Sequence, residues 1–221
     1  MCFSETQSYI NFVVLLITSI ICLPYWRLCF PLVFLALKEL LQGLLYRNID
    51  NKKVNNTLTK LSWIHICFQP LIVNIFLSQF STNYYVYWNV IFVLCIIYGI
   101  YTITTLKDYK IRNNDDCVKI NNKNDFCSKN TLSYIGKYHV GYGFKRNSQL
   151  YIFPMLYTGL MFLPYIFTQS RLYGMLWSSF VFTTWVIGEY FNLKYGETAA
   201  IWCFLSIIYM VPISVIYKLR N

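Results

Sequence analysis

Residues 29–46 read Cys-Phe-Pro-Leu-Val-Phe-Leu-Ala-Leu-Lys-Glu-Leu-Leu-Gln-Gly-Leu-Leu-Tyr. Apart from Pro31, Gly43 and the polar trio Lys38, Glu39 and Gln42, every residue in this stretch is apolar or aromatic. Crossing a bilayer core about 30 Å thick takes about 20 apolar helical residues, with a range of about 17–25. The stretch meets that requirement. It is continuously apolar and lacks the period-two alternation of lipid-facing strands, so it reads as a membrane helix rather than a barrel strand. Two adjacent charges at its middle are the anomaly. An ionisable group inside a span costs several kcal/mol by most scales and needs an explanation.

Working outward, six further runs have the same character. The seven expected spans are 8–25, 29–46, 61–80, 84–106, 149–168, 171–188 and 196–217, forming one transmembrane domain over 1–221. The sixth is the weakest, being short and carrying Ser178, Ser179, Thr183 and Thr184, and a six-span count is the alternative. Trp26, Tyr46, Trp63, Tyr84, Tyr85, Trp88, Tyr190 and Tyr217 lie near run ends, as an interfacial aromatic belt requires. Pro70 falls inside the third run, where a kink is expected. The fold class is therefore all-α, a polytopic transmembrane helical bundle. Composition agrees. The 221 residues are 57% hydrophobic and only 13% charged, against about 25% charged in an ordinary soluble domain. Mean hydropathy is +0.43. Global disorder and an ordinary water-soluble enzyme are both excluded by these proportions.

The net charge is +10. The basic residues sit mainly between apolar runs, and no pattern matches a nucleic-acid-binding module. The expected partners are the lipid bilayer and anionic head groups at the basic loops, with no nucleic acid. Loop 107–148 carries Lys107, Lys110, Arg112, Lys119, Lys123, Lys129, Lys137, Lys145 and Arg146. By the positive-inside rule it faces the cytosol, together with loop two (Arg47, Lys52, Lys53, Lys60) and the N-terminus. The first half of loop 107–148 is crowded with Asn, Asp and Lys and is expected to be mobile and solvated. The second half, 131–144, is aromatic and Gly-rich and is expected to lie at the interface or pack back on the bundle. The first run lacks the basic flank of a signal peptide and is expected to be a retained anchor. Cys117 and Cys127 share the polar loop without C-x-x-C spacing and read as free thiols. The sequon Asn55-Asn56-Thr57 would remain unmodified on the cytosolic side.

The candidate site grows from the charged anomaly. Glu39 and Gln42 are spaced i,i+3 and share a helix face, while Lys38 is rotated about 100° from Glu39; His65, Gln42, Gln69 and Lys38 are the candidate partners of the Glu39 carboxylate. In the third run His65 and Gln69 are spaced i,i+4, with Asn74 deeper. A hairpin of the second and third runs puts Glu39, Gln42, His65 and Gln69 at overlapping depths. Tyr98 and Thr102 of the fourth run reach a similar depth from the other direction, and Glu197 opens the seventh run on the same side. Such polar groups can simply hold helices together, each contributing about 0.6–2 kcal/mol. Two titratable groups, Glu39 and His65, exceed what that role needs.

Several chemistries are excluded. His65 and His139 are the only histidines, so a three-histidine zinc site cannot form, and no metal or other cofactor is expected. No Walker A, G-x-S-x-G or H-E-x-x-H pattern occurs. The pieces Lys-Glu-Leu-Leu-Gln (38–42), His-Ile-Cys-Phe-Gln-Pro (65–70) with Asn74, Tyr-Ile-Gly-Lys-Tyr-His (134–139) and Gly-Glu-Thr-Ala-Ala-Ile-Trp-Cys-Phe (196–204) resemble uncharacterised multipass membrane proteins of giant DNA viruses of protists. The resemblance implies a virion or host-endomembrane setting and no particular activity. Three function classes follow: a polar intramembrane site for a small solute, ion or proton, a structural or interaction protein, and a membrane-embedded lipid-modifying enzyme.

Overall fold

The computed structural model describes residues 4–81, 85–104, 106, 118–120, 124–126, 131–136, 140–143, 156–157, 159–161, 183, 186 and 197–220. Helix α1 spans Glu5–Ile21. Ser4 caps it by accepting from the Gln7 amide at 3.2 Å, and Glu5 lies in the first turn, where the helix dipole favours an acid. Helix α2 spans Trp26–Arg47 and α3 spans Lys52–Ser78. Helix α4 spans Tyr85–Thr104, and α5 spans Glu197–Arg220 with Lys218 and Arg220 in its last turn.

The start of α3 corrects the expectation for the third run by about nine residues. Asn51 provides the start signal as the N-cap, its side-chain oxygen accepting from the Val54 amide at 3.2 Å. The polar residues after it do not break the helix, because Asn55, Thr59 and Ser62 are spaced to share one buried face. Lys52, Lys53 and Lys60 thus lie on α3 rather than in a loop. Helix α3 also runs on through Pro70, where the missing N–H leaves one turn without its internal bond.

Loop 107–148 is not wholly irregular, which corrects the all-helical reading. Strands β1 (Val118–Ile120) and β2 (Asn124–Phe126) pair antiparallel. Strands β3 (Leu132–Ile135) and β4 (Val140–Gly143) form a second antiparallel hairpin with Leu132 opposite Gly143 and Ile135 opposite Val140. Close approach needs a glycine here: a Cβ at Gly141 would lie 2.3 Å from the ring of Tyr134, its cross-strand partner. As expected for 131–144, this hairpin packs back on the bundle, touching α2, α3 and α5.

Leu15 of α1, Leu28, Leu32 and Leu35 of α2, Val73 and Phe76 of α3, Trp88 and Ile91 of α4 and Met210 of α5 share the main apolar core. A smaller core of Leu45, Leu58, Val140 and Tyr142 lies under the β3–β4 hairpin. The opposite faces are apolar as well. On α4, Val86, Val90, Val93, Ile97 and Ile100 are exposed at alternating spacings of four and three, which is one helix stripe. Ile10, Val13, Ile17 and Ile20 do the same on α1. Aliphatic stripes of this extent facing outward suit lipid better than water.

Three helices are long and apolar enough to cross a membrane: Trp26–Arg47, Lys52–Ser78 and Val86–Thr104. The expected count of seven spans is not supported by the described residues. At 17 residues α1 is at the lower limit of a spanning length. The fifth and sixth expected runs lie outside the described residues, save helical residues at 156–157, 159–161, 183 and 186. The seventh coincides with α5. Cys22, Cys67 and Cys95 are buried and form no disulfide among the described residues, and Cys117 and Cys127 lie outside them.

Candidate functional site

The polar group around Glu39 is built between α1 and the second half of α2. These helices approach closely because Gly43 has no side chain: a Cβ there would lie 2.8 Å from the ring of Tyr9. With residue 9 level with 43, Asn11 falls within one turn of Glu39. Asn11 Nδ2 donates to Glu39 Oε2 at 3.1 Å. Lys38 Nζ donates to Glu39 Oε1 at 2.8 Å and to Gln42 Oε1 at 2.5 Å. Gln7 Nε2 donates to Asn11 Oδ1 at 2.9 Å. Lys38, Glu39, Gln42 and Asn11 are all buried, and Glu39 is 0% exposed.

Neighbours in sequence diverge by about 100° on a helix, which makes a Lys38–Glu39 contact unobvious. The long lysine stem removes the difficulty. It carries the ammonium one turn along the helix to Gln42, at i,i+4, and back toward the carboxylate. Both Glu39 oxygens therefore have donors, and the lysine has two acceptors. An ion pair this deep offsets its desolvation only when further hydrogen bonds accompany it, and here Gln42 and Asn11 supply two.

The other expected residues lie elsewhere. His65 faces Phe34: Nε2 is 2.7 Å from the Phe34 carbonyl, and the two rings stack with centroids 3.7 Å apart. A carbonyl only accepts, so Nε2 carries the proton. Nδ1 of the neutral ring is then the acceptor, and it has no hydrogen-bond partner among the described residues. Phe34 precedes Glu39 by about five residues, or roughly 7.5 Å along the axis. The short turn between α2 and α3 sets that offset by pairing residue 34 with 65.

Gln69, Asn74 and Tyr98 belong to a separate group between α3, α4 and the helical residues at 156–157 and 159–161. Tyr157 donates its hydroxyl to Gln69 Oε1. Asn74 Nδ2 donates to the carbonyls of Pro70 at 2.7 Å and Leu160 at 2.8 Å, and lies 3.6 Å from Cys95 Sγ. Tyr98 is buried, its ring 6.4 Å from that of Tyr157. Glu197 is the first residue of α5, and its side chain lies outside the described residues. Among the described residues no group of three or more His, Cys, Asp or Glu could hold a metal ion. An open groove runs along α1, lined by Glu5, Thr6, Tyr9, Ile10, Val13 and Val14, and does not include the ion pair.

Sequence reasoning missed Asn11 and Gln7. A signal existed: Asn11 is a lone amide in an apolar run, at i,i+4 from Gln7 and from Leu15 on the buried face of α1.

The described residues make a mostly helical protein with three helices long and apolar enough to cross a membrane, outward aliphatic stripes and an enclosed ion pair. Within that class the chain belongs to a family described as "Family of unknown function (DUF5765)", whose profile matches residues 16–221. Lys38, Glu39 and Gln42 fall inside the matched region, while Gln7 and Asn11 precede it. No curated protein and no solved structure matches the chain.

Proposed function

We propose that the chain is a multipass integral membrane protein whose Lys38–Glu39 group binds or conducts a small solute, ion or proton. The observation that carries this reading is the ion pair itself, a carboxylate at 0% exposure bonded to Lys38 and Asn11 inside an apolar helix pair. Ionisable residues at such positions are rare and commonly mark ion or proton paths, whereas neutral amides are enough to join helices. In the proposed role Glu39 is the titrating or ion-binding group and Lys38 its counter-charge. Asn11 and Gln42 orient them, and His65 of α3 offers an acceptor nitrogen farther along α2. The basic loops would meet anionic head groups, with loop 107–148 on the cytosolic side. The setting we propose, a virion membrane or a host endomembrane, rests on the sequence resemblance alone.

Purified protein in liposomes provides the test. Proton flux is followed with an entrapped pH-sensitive dye, and sodium and potassium flux with entrapped ion indicators. Glu39→Gln is expected to reduce at least one protein-dependent flux tenfold or more. If that variant and His65→Ala both keep every flux and every binding isotherm of the native protein, the reading fails.

A structural role in the membrane is the second reading. It is favoured by the fact that both oxygens of Glu39 already have protein donors. On that reading the same substitutions lower stability and change no flux.

A further inference from the structure

The β3–β4 hairpin is held by one side chain to an unusual degree. Asn55 of α3 is 2% exposed, and its amide makes four bonds. Its Nδ2 donates to the Ile49 carbonyl and to the Ser133 carbonyl, both at 2.9 Å. Its Oδ1 accepts from the Ser133 amide at 2.8 Å and from Thr59 Oγ1 at 2.9 Å. The side-chain amide thus meets the N–H and C=O of Ser133 as an adjacent strand would, so β3 has β4 on one edge and Asn55 on the other. Two further bonds flank it: Thr59 Oγ1 and Ser133 Oγ lie 2.7 Å apart, and Asn56 Nδ2 donates to the Thr131 carbonyl at 2.7 Å.

What the hairpin covers is equally defined. Val140 and Tyr142 of β4 pack on Leu45 of α2 and Leu58 of α3, with Leu41, Leu44 and Ile66 at the edge of the same cluster. Leu41 and Ile66 are the sequence neighbours of Gln42 and His65. The hairpin therefore bridges α2, α3 and α5 where the polar group of α2 comes nearest to that end of the bundle. A two-stranded hairpin is marginally stable by itself, so its order here depends on docking.

We propose that the β3–β4 hairpin is a cap that closes this end of the helix bundle against water, and that Asn55 is the latch that holds it shut. The proposal concerns the opening of the bundle end and stands whether or not the Lys38–Glu39 group binds a solute. The latch is local. Breaking it frees the hairpin and uncovers Leu45, while the main core around Leu32 stays packed.

The full chain in lipid nanodiscs tests this. Leu45→Cys and Leu32→Cys are introduced separately and treated with a water-soluble maleimide. Labelling is followed by mass spectrometry on the peptide that carries each new thiol, which resolves it from the native cysteines. Adding Asn55→Ala is expected to raise the labelling rate at position 45 about tenfold or more, as loss of several buried bonds should, and to leave position 32 unchanged. Chymotrypsin should also cut at Tyr134 and Tyr142 faster. Thr59→Ala removes fewer bonds and should give a smaller increase in the same direction, and it serves if Asn55→Ala does not fold. The proposal is overturned if position 45 labels at the native rate in the folded variant. Equal acceleration at positions 45 and 32 overturns it too, since that reports general loosening of the bundle rather than a cap.

Discussion

Two buried polar groups join elements of this protein by opposite means. Around Asn55 a neutral amide meets a strand backbone, and every donor and acceptor of that amide is used. Around Glu39 the joining elements are a carboxylate and an ammonium on neighbouring residues of one helix, reached from α1 by a single amide. The neutral group shows that docking an element on this bundle needs no charge. The charged group therefore carries more than adhesion requires, and that excess is why function is sought there rather than at Asn55.

The comparison can be broken at its most costly point first. Lys38→Met leaves Glu39 buried with its counter-charge gone, and is expected to destabilise the protein by about 3–5 kcal/mol. The double variant Lys38→Met, Glu39→Leu replaces the pair by apolar side chains, and should recover most of that loss or exceed native stability. Reversible unfolding in mixed micelles measures both. If the double variant is as unstable as the sum of the single ones, the two residues are not coupled and the contrast with Asn55 collapses. Asn11→Ala comes next. It removes one donor to a charged oxygen and should cost about 1.5–3 kcal/mol in the same assay, with no change in hairpin proteolysis. The smallest effect belongs to the neutral group. Asn56→Ala deletes its bond to the Thr131 carbonyl, a partly buried contact, and should cost about 0.5–1.5 kcal/mol. An Asn56 effect larger than that of Asn11 would reverse the ranking of the two groups.

The helices were legible because apolar runs of spanning length admit few other structures. Their ends were less so. The polar turn Asn55–Thr59 looked like a loop, yet it is a helix face that receives a strand. The hairpin strands were short and alternate hydrophobic with polar positions, as in Leu132, Ser133 and Tyr134, a pattern easily lost in a loop crowded with Asn and Lys. Glu39 stood out by itself, since a charge in an apolar run is conspicuous. Lys38 was among its expected partners despite lying about 100° away on the same helix, and the flexible stem of lysine brings it into contact, while Asn11 was not expected. Helix α1 was read only as an anchor, so Asn11 went unnoticed, because which run packs on which is not written in the runs themselves. His65 was set level with Glu39 by a loop thought longer than it is.

Asn55 also opens the sequon Asn55-Asn56-Thr57. Transfer of a sugar needs a free side-chain nitrogen, and in the folded protein both hydrogens of that nitrogen are bonded to carbonyls. A glycan at this position and a docked hairpin are therefore mutually exclusive. Should the segment ever pass through a glycosylating compartment, occupancy at Asn55 would record which came first, the enzyme or the hairpin. The residue would act as a timer of biogenesis, written into the chain by the same amide that holds it together.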